Sequence, residues 1–391
     1  MAGEWKEMQW GDLITLEYGK SLRGYEKARG SVRVFGTNGP IGWTDNALCQ
    51  HATVVIGRKG AYRGVHYSPL PCFVIDTAFF LDAKIEFDMR WAYYQLLTQD
   101  INSMDSGSAI PSTSRPEFYW LPVTVPPLHE QRAIACILGA LDDKIELNRR
   151  MNETLEAMAQ AIFKKWFIEP TKKGKLPEGW REGKVGDLCS ESRVTINPRE
   201  FIEELFDHYS IPAFDEGRTP KAEIGNAIKS SKFLVLNNSV LLSRLNPRIP
   251  RVWLPNLNNE RRAVCSTEFF VAIPKNDISR EFLFCLFSND SFNSIYATMV
   301  TGTSGSHQRV KPESVLAMSI NIPPKSTIQQ FTKISMPLFA NINSNLVQSR
   351  TLAALRDALL PKLLSGELRV PDAEKICARG ASALGGVERC V

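Results

Sequence analysis

The sequence predicts an α+β fold that is built twice: two tandem mixed α/β domains separated by two long antiparallel helices, which form a coiled-coil-like spacer in a pseudo-twofold repeat. Two observations predict this fold class. Short motifs recur in the same order in the two halves of the 391-residue chain. Within each half, short strand-like runs come first and a long helical pattern follows. A composite unit that recurs in this way is typical of internal duplication.

The repeat is marked by four pairs of motifs whose offset grows along the chain. Loop insertions in the second copy would produce such a growth, since loops tolerate insertions better than the elements they connect. We therefore infer an internal duplication. The pairs and their offsets are Trp5-Lys6-Glu7 with Trp180-Arg181-Glu182 at 175, Thr77-Ala78-Phe79 with Thr267-Glu268-Phe269 at 190, Arg115-Pro116-Glu117 with Lys311-Pro312-Glu313 at 196, and Pro126-Pro127 with Pro323-Pro324 at 197.

Short apolar runs close to Gly or Pro predict the strands of each domain. Val54-Val55-Ile56 and Phe73-Val74-Ile75 combine β-branched and aromatic residues over a strand-like length. Val123-Thr124-Val125 and Ile320-Asn321-Ile322 stand just ahead of the paired prolines of the two copies. We expect a strand at each of these positions.

The first long helix is predicted over Leu128 to Phe167, where apolar residues from Ile134 to Trp166 recur at alternating steps of four and three. Pro127 fits the first turn of such a helix. The stripe is typical either of a helix that faces a core or of a coiled coil. A second stripe in the same chain favours the coiled coil, because the two helices can bury their stripes against each other.

The second long helix is predicted over Thr327 to Leu364. Pro337 should kink this helix or delay its start, and Pro361 should disturb its last turns. Buried polar side chains within a helix seam select the register of the pair at some cost in stability. The asparagines that fall in the two stripes are Asn148, Asn152 and Asn345.

These elements divide the chain into six expected segments. The stretch after the first helix contains Pro, Gly and Lys, which is typical of a linker. The last segment lacks apolar periodicity and predicts a disordered tail. The segments are residues 1–127 for the first domain, 128–168 for the first helix, 169–180 for the linker, 181–324 for the second domain, 325–368 for the second helix and 369–391 for the tail.

The composition favours a cytoplasmic protein without chemistry of its own. No apolar run approaches the roughly 20 residues that cross a bilayer, and no secretory signal follows the start. The eight cysteines include no C-x-x-C pair, and the five histidines show no metal-binding spacing. Tyr18-Gly19-Lys20-Ser21 lacks the upstream glycine of a phosphate loop. We therefore expect no catalytic residue, no metal and no cofactor in this chain.

The net charge of +5 is mild, but basic residues concentrate in particular loops. The zone from Gly57 to Gly64 follows a predicted strand, and arginine or lysine in such a loop can neutralise phosphates or, for arginine, pair with guanine. A solvated hairpin turn would explain this zone about equally well if it stood alone. Its candidate DNA-binding residues are Arg58, Lys59, Tyr62 and Arg63.

The second copy has a basic zone at the matching place, after Val240-Leu241-Leu242. This coincidence of position favours DNA binding over a solvated turn. A further element lies in Thr301 to Lys311 of the second copy and in Ser106 to Arg115 of the first, and it suits contacts to bases or to the backbone. The candidates in these elements are Arg244, Asn246, Arg248 and Arg251, then Arg115, His307, Gln308, Arg309 and Lys311.

The most specific motif is Pro126-Pro127-Leu128-x-Glu130-Gln131-x-x-Ile134, which opens the first helix. Further motifs are Gly36 to Gly42, Gly57 to Gly60, Asp76 to Phe79, Gly305 to Glu313, and Leu363 to Glu367. With these motifs the sequence resembles the specificity subunit of type I restriction-modification systems from Trp5 to about Val370. The second copy departs from the pattern, since Pro323-Pro324 is followed by Gln329-Gln330 without the Leu-x-Glu-Gln continuation.

The resemblance implies a chain that performs no chemistry itself. It implies two target recognition domains, each reading one half of a bipartite asymmetric site in double-stranded DNA, and helices that dock two methyltransferase subunits. Those subunits would carry S-adenosylmethionine and flip an adenine, and motor-nuclease subunits that use ATP and magnesium would join for cleavage. A reader subunit of a related defence or methylation system, a coiled-coil scaffold for protein partners, and an enzyme fused to a recognition module are the alternatives.

Overall fold

The computed structural model describes residues 4–104, 111–257, 260–300 and 308–370. The chain divides into two compact units: unit 1 comprises residues 1–147 and 348–391, and unit 2 comprises residues 148–347. Both boundaries fall inside long helices, so each unit contains part of each helix. The six segments expected from the sequence have their boundaries at the ends of elements instead, and they stay a prediction. The part of the expected tail beyond Val370 lies outside the described residues.

The first part of unit 1 consists mainly of short strands, and a long helix follows them. The strands form a four-stranded sheet in the order β2-β8-β5-β6, a three-stranded sheet in the order β4-β3-β7 and the antiparallel pair β1-β9. The elements are β1 (Lys6–Gln9), α1 (Trp10–Leu13), β2 (Ile14–Tyr18), β3 (Val32–Gly36), β4 (Gly39–Thr44), β5 (Thr53–Gly57), β6 (Val65–Ser68), β7 (Cys72–Val74), β8 (Ala78–Ala83), α2 (Met89–Leu97), a 3₁₀ turn (Ile101–Ser103), α3 (Arg115–Trp120), β9 (Pro122–Val125) and α4 (Leu128–Phe163).

The core of unit 1 follows from the two-residue period of its strands. Phe79 of β8 lies in the main core with Trp10 of α1 and Trp91 of α2. Phe80, the next residue, belongs to a smaller cluster with Val55 on the opposite face. Successive side chains of a strand point to opposite faces, so a run of apolar residues supplies both clusters. The predicted apolar runs of unit 1 overlap β5, β7 and β9.

Unit 2 repeats this arrangement and enlarges one sheet. Its strands form a four-stranded sheet in the order β11-β19-β16-β17, a five-stranded sheet in the order β12-β15-β18-β13-β14 and the pair β10-β20. The elements are β10 (Arg181–Lys184), α5 (Val185–Leu188), β11 (Cys189–Ser192), β12 (Thr195–Ile196), β13 (Leu205–Tyr209), α6 (Ile211–Asp215), β14 (Lys221–Ile224), β15 (Lys232–Leu234), β16 (Val240–Ser243), β17 (Val252–Trp253), β18 (Arg262–Cys265), β19 (Phe269–Pro274), α7 (Arg280–Phe287), α8 (Asp290–Tyr296), α9 (Pro312–Ala317), β20 (Ser319–Ile322) and α10 (Lys325–Leu364).

The strand registers confirm the duplication and correct its alignment in the middle. The pairs β1-β9 and β10-β20 match at offsets of 175 and 197, as the sequence predicts. Strand β19 matches β8 at 191 rather than 190, because Phe269 is paired with Ser243 as Ala78 is with Gly57. A slip of one residue turns every side chain of a strand to the other face. The buried counterpart of Phe79 is therefore the residue after Phe269.

The growth of the offset has a structural origin in unit 2. A turn with a φ of +107° at Gly39 joins β3 to β4, whereas α6 lies between β13 and β14, the strands at the same place in the other sheet. The five-stranded sheet also gains β12 beside β15. Insertion in a surface connection leaves the shared sheet intact, as the duplication predicts.

The two long helices are confirmed, and α10 starts earlier than Pro337 suggests. α4 covers 36 residues and α10 covers 40. α10 begins at Lys325 and continues through both Pro337 and Pro361. Of the two effects expected at Pro337, the delayed start is therefore wrong, and the kink stays a prediction. Phe331 and Phe339, on either side of Pro337, are buried. Their burial stabilises the helix at the turn where proline cannot donate a backbone hydrogen bond.

In unit 1 the segments of α4 and α10 run antiparallel. Arg356 of α10 donates to the carboxylate of Asp142 of α4 at 2.7 Å. Arg369, just after α10, donates at 2.8 Å to Glu130 near the start of α4. The indole N–H of Trp5 also donates to Glu130, at 3.2 Å. The Glu130 of the most specific sequence motif thus ties the start of α4 to the chain beyond α10.

In unit 2 the two segments are also antiparallel, and the seam asparagines lie between them. Asn148 is fully buried and donates to the backbone carbonyl of Asn345 at 3.4 Å. The Asn345 amide donates to the side-chain oxygen of Asn152 at 2.9 Å. Further along, the rings of Phe163 and Phe331 lie 5.6 Å apart. That these asparagines select the register stays a prediction.

Two features are absent from the described ranges. No helix in them combines the length and the apolar character that crossing a membrane requires. Likewise, no three His, Cys, Asp or Glu side chains in these ranges converge as a metal site demands.

Candidate nucleic-acid interface

The basic zone of unit 1 is a closed loop, residues 57–64, between β5 and β6. The Gly57 N–H donates to the carbonyl oxygen of Gly64 at 2.8 Å, and the Gly64 N–H donates to that of Thr37 at 3.0 Å. The Thr37 hydroxyl donates to the Thr77 carbonyl at 2.8 Å. A Cβ atom on Gly57 would lie 2.7 Å from the Thr37 carbonyl oxygen. Glycine is therefore needed where the loop closes against the β3–β4 turn.

Arg63, a predicted DNA-binding residue, holds this loop from the inside. Its residue surface is 2% exposed. Its Nη2 donates to the carbonyl oxygens of Ile101, Asn102 and Met104 at 3.2, 2.7 and 2.8 Å. A guanidinium engaged in this way cannot reach DNA unless the loop opens. The structure therefore assigns Arg63 to the support of the loop.

Arg58 and Arg115 meet at one aromatic ring. Their guanidinium carbons each lie 4.9 Å from the centre of the Tyr18 ring, at the end of β2. Arg58 Nη1 donates to the Asp76 carbonyl at 2.9 Å, and Arg115 Nη2 donates to the Tyr119 hydroxyl at 3.1 Å. Hydrogen bonds to tyrosine oxygens raise the pKa of Arg115. We call Tyr18, Arg58 and Arg115 the Tyr18 cluster.

Lys59 and Tyr62 form the exposed part of the loop. Tyr62 is 80% exposed and Lys59 is also exposed. The backbone of Lys59 bridges to Ser112, which follows a stretch outside the described residues. These two side chains are free of the burial that removes Arg63 from the candidates.

The basic zone of unit 2 is the loop of residues 244–251, between β16 and β17, and it begins as the unit 1 loop does. The Arg244 N–H donates to the Glu268 carbonyl at 2.8 Å, and its guanidinium donates to the Thr267 carbonyl. Arg58 makes the same pair of bonds to the two residues before β8. Arg58 and Arg244 are therefore equivalent in position and in backbone environment.

Arg309 is held by a carboxylate next to this loop. Its Nε and Nη2 donate to the two oxygens of Glu268 at 2.9 and 2.8 Å. The Arg309 guanidinium in turn holds the pKa of Glu268 below its usual range. The Asn246 N–H donates to the Gln308 carbonyl at 3.0 Å, which fastens the loop to the strand-like segment that carries Arg309. The fork of Arg309 thus binds Glu268 as it could bind guanine or phosphate.

Arg251 and Arg248 end up in opposite environments. Arg251 is 8% exposed and donates to both oxygens of Asp215 at 2.7 and 2.9 Å. This pairing fastens the loop to α6 and lowers the pKa of Asp215. Arg251, also a predicted DNA-binding residue, therefore supports the loop. Arg248 is exposed.

The remaining candidates lie around α9. Lys311 is exposed at the residue before α9, and His307 lies outside the described residues. α3 and α9 match at an offset of 197 rather than 196, since they begin at Arg115 and Pro312. Arg115 therefore has no basic counterpart in unit 2, and its sequence match with Lys311 is corrected by one residue.

Sequence reasoning missed Tyr18 and Glu268. Their roles depend on the strand order β2-β8-β5, which recurs as β11-β19-β16. In this order the ends of β2 and β5 both lie beside the start of β8. Arg193, which occupies the position of Tyr18 in unit 2, donates to Glu191 and Glu313 at 2.6 and 2.9 Å. The sequence signal for these residues is the alternation of side chains between the two faces of each strand. This signal can be used only when the register between the paired strands is known.

Comparison with known proteins finds that this chain is similar to members of one family. Residues 2–157 match the type I restriction modification DNA specificity domain. The chain is 27% identical over 310 residues to the type I restriction enzyme MjaIX specificity subunit of Methanocaldococcus jannaschii, a match that covers 72% of this chain and 70% of that protein. It is 24% identical over 324 residues to the HindI specificity subunit of Haemophilus influenzae, covering 63% of this chain and 69% of that protein.

The fold itself also has a known relative. The crystal structure of a type I restriction-modification S subunit from M. genitalium aligns with a TM-score of 0.57 at 17% identity, over 92% of this chain and 96% of that chain. The tandem α+β domains with two long helices therefore share the fold of that S subunit. In sequence, this chain is similar to the specificity subunits of type I restriction-modification systems. The predicted fold class and the family resemblance are both confirmed.

Proposed function

We propose that this chain chooses the DNA sequence on which a type I restriction-modification complex acts, with each unit reading one half of a bipartite asymmetric site. The observation that carries the proposal is the repetition of one loop geometry in both units. Arg58 and Arg244 leave their strands in the same register and bind equivalent carbonyl groups. Equivalent frames with different side chains suit two half-sites of different sequence.

The proposed DNA contacts come from polar and basic side chains that are at least partly exposed. Phosphate contacts would position each unit and base contacts would specify the sequence. Arg63 and Arg251 are left out because they are buried and engaged. The proposed set is Arg58, Lys59, Tyr62 and Arg115 in unit 1, and Arg244, Asn246, Arg248, Gln308, Arg309 and Lys311 in unit 2, with His307 added from the sequence alone.

The long helices are the proposed docking surface for two methyltransferase subunits. α4 exposes Leu147, Met151 and Met158, whose spacings of four and seven place them on one helical face. Exposed apolar side chains in a row are typical of a surface that a partner covers, and methionine adapts well to such partners. Methylation and cleavage would then be the work of the partner subunits, with motor-nuclease subunits joining for cleavage.

Paired substitutions in the two loops test the proposal. Arg58→Ala should weaken DNA binding by unit 1, and Arg248→Ala should weaken or relax recognition in the half-site read by unit 2, by about 1–3 kcal/mol where the side chain touches a base. The target is first selected from a random pool of duplexes by retention on the full-length chain, and every position is then varied. Arg132→Ala, which removes an exposed arginine 3.5 Å from Glu86 in unit 1, is the matched control.

Sequence-dependent retention that falls with rising salt would exclude a scaffold that binds only proteins. Retention of all duplexes alike by the wild-type chain would overturn the proposal.

A further inference from the structure

The Tyr18 cluster brings two positive charges together without a neutralising carboxylate. Both guanidinium groups lie 4.9 Å from the same ring centre, so they are within about 10 Å of each other, the distance over which charges interact at ordinary salt. Within the described residues neither arginine forms an ion pair, and the hydrogen bonds that the structure shows go to a carbonyl and a hydroxyl oxygen. The cluster therefore carries an uncompensated charge.

Aromatic rings hold the two arginines in this arrangement. Arg58 also lies 5.7 Å from the Phe79 ring, and Arg115 lies 5.8 Å from the Tyr119 ring. Stacking on ring faces offsets part of the repulsion and limits the rotation of both guanidinium groups. Tyr18 itself is 47% exposed, so the shared position is open to solvent. Each guanidinium has five N–H donors, which leaves donors for a ligand.

We infer that the Tyr18 cluster binds a phosphate of the DNA backbone rather than a base edge, with Tyr18 as the residue that positions both arginines. A phosphodiester has two unesterified oxygens, and the guanidinium groups of two neighbouring arginines can each bind one of them. Lys59 and the 80% exposed Tyr62 are more exposed than the two arginines and are better placed to enter a groove. The inference rests on the proposed function, since it assigns one contact within it.

A phosphate contact and a base contact leave different signatures. Loss of a phosphate contact weakens binding by the same factor on every sequence, and it lowers the slope of log K against log salt by about one. Loss of a base contact acts at one base pair. Arg58→Ala with Arg115→Ala should therefore lower affinity about tenfold on selected and unselected duplexes alike, with a slope smaller by one to two.

The test combines these protein variants with modified DNA. A single methylphosphonate, which removes one backbone charge, is placed at successive positions of the selected duplex. We expect one position at which it weakens binding by the wild-type chain several-fold but has little further effect on the double variant. Arg33→Ala is the control, because Arg33 stacks on Trp43 at 4.4 Å in the same unit but outside the cluster. This control should lose affinity at that methylphosphonate as the wild type does.

Tyr18 is tested separately from the charges. Tyr18→Leu keeps both arginines but removes the ring, and it should lose about threefold in affinity together with the coupling to the methylphosphonate. Tyr18→Phe should restore both, because it keeps the aromatic face.

Two outcomes would overturn the inference while leaving the proposed function intact. In the first, the double variant loses affinity only on duplexes with one particular base pair. In the second, it binds all duplexes as tightly as the wild type does, although Arg248→Ala still alters sequence preference. If the wild-type chain instead shows no sequence preference at all, the proposed function fails with the inference.

Discussion

The two units place arginines at equivalent edges of their sheets but balance the charges differently. In unit 1 the arginines of the Tyr18 cluster stack on aromatic rings. In unit 2 Arg309 binds Glu268, and Arg193, at the position of Tyr18, binds two glutamates. The same backbone arrangement therefore carries arginines stacked on aromatic rings in unit 1 and arginines paired with carboxylates in unit 2.

This difference concerns two separate properties, the general attraction of DNA and the discrimination between DNA sequences. An open cationic surface attracts any polyanion, and its contribution weakens as salt rises. An arginine that is already paired must exchange its carboxylate for a DNA group, so a wrong partner leaves a charge unsatisfied. We therefore expect unit 1 to contribute more to general affinity and unit 2 more to selectivity. Substitutions in each unit test whether the two units differ in this way.

The largest effect should come from removing the buried support of each loop, and it should be larger in unit 1. Arg63→Ala leaves three carbonyl oxygens without their donor in a buried place, and we expect unit 1 to lose about 3 kcal/mol of unfolding free energy. Arg251→Ala should cost unit 2 about 1–2 kcal/mol, because its partner Asp215 is 47% exposed and water can solvate it.

Denaturant titration with hydrogen exchange resolved by peptide measures both costs within the full chain. The exposed Arg132→Ala substitution should change neither unit by more than about 0.5 kcal/mol. Equal losses of unfolding free energy in Arg63→Ala and Arg251→Ala would contradict the proposed difference in how the two loops are held.

The next effect comes from exchanging the residues that set the charge balance. Thr77 and Glu268 occupy equivalent positions before β8 and β19. Glu268→Thr releases Arg309 and should raise affinity for unselected duplexes about fivefold at low salt, since one more cation faces the DNA. Thr77→Glu places a carboxylate beside Arg58 and should lower affinity by a similar factor.

Salt titrations of binding to selected and unselected duplexes measure this exchange. Asp277→Asn, which breaks an exposed pair with Lys325 in unit 2, controls for the loss of a negative charge elsewhere. If Glu268→Thr weakens binding to every duplex, Glu268 contributes to binding itself and does not restrain Arg309.

The smallest effect is a difference in acid sensitivity. Arginine partners hold the pKa of Glu268, Asp215 and Glu204 below their usual range, and all three lie in unit 2. A depressed pKa means that the folded state favours the ionised carboxylate. The stability from these pairs is thus present above the ordinary pKa of about 4 and is lost as the pH falls through the folded values.

Hydrogen exchange measured between pH 5 and pH 3 should therefore show unit 2 losing protection before unit 1. In Arg251→Ala the loss should be less steep with pH, because Asp215 no longer contributes. A steeper acid loss in unit 1 than in unit 2 would contradict this ordering.

The sequence predicts the helices and most strands because their signals are local. The stripe from Ile134 to Trp166 and the run at Val54 each depend on spacing within one element. The pairing of Glu268 with Arg309 depends on two segments 41 residues apart, and the repeat alignment there is off by one. A shift of one residue inverts a strand, so the charge partners could not be read from the sequence.

The fate of Arg63 and Arg251 shows a second limit. Both stand in basic, glycine- or proline-containing loops that favour exposure, and nothing local distinguishes them from Arg58 or Arg248. Burial is decided by whether acceptors arrive from elsewhere in the fold: the carbonyl groups after α2 for one, and Asp215 of the inserted α6 for the other.

The division of α10 between the units has a consequence for biosynthesis. Leu363, Leu364 and Val370 belong to the same core as Trp10, so the unit that emerges first from the ribosome cannot complete its core until the end of the chain is made. Unit 2 is continuous in sequence, from residue 148 to 347, and can close earlier. Contacts that span such sequence separations form slowly. The nascent first unit must therefore stay incompletely folded while the second one folds, and a chain that ends early would leave the first unit, rather than the second, exposed to aggregation and proteolysis.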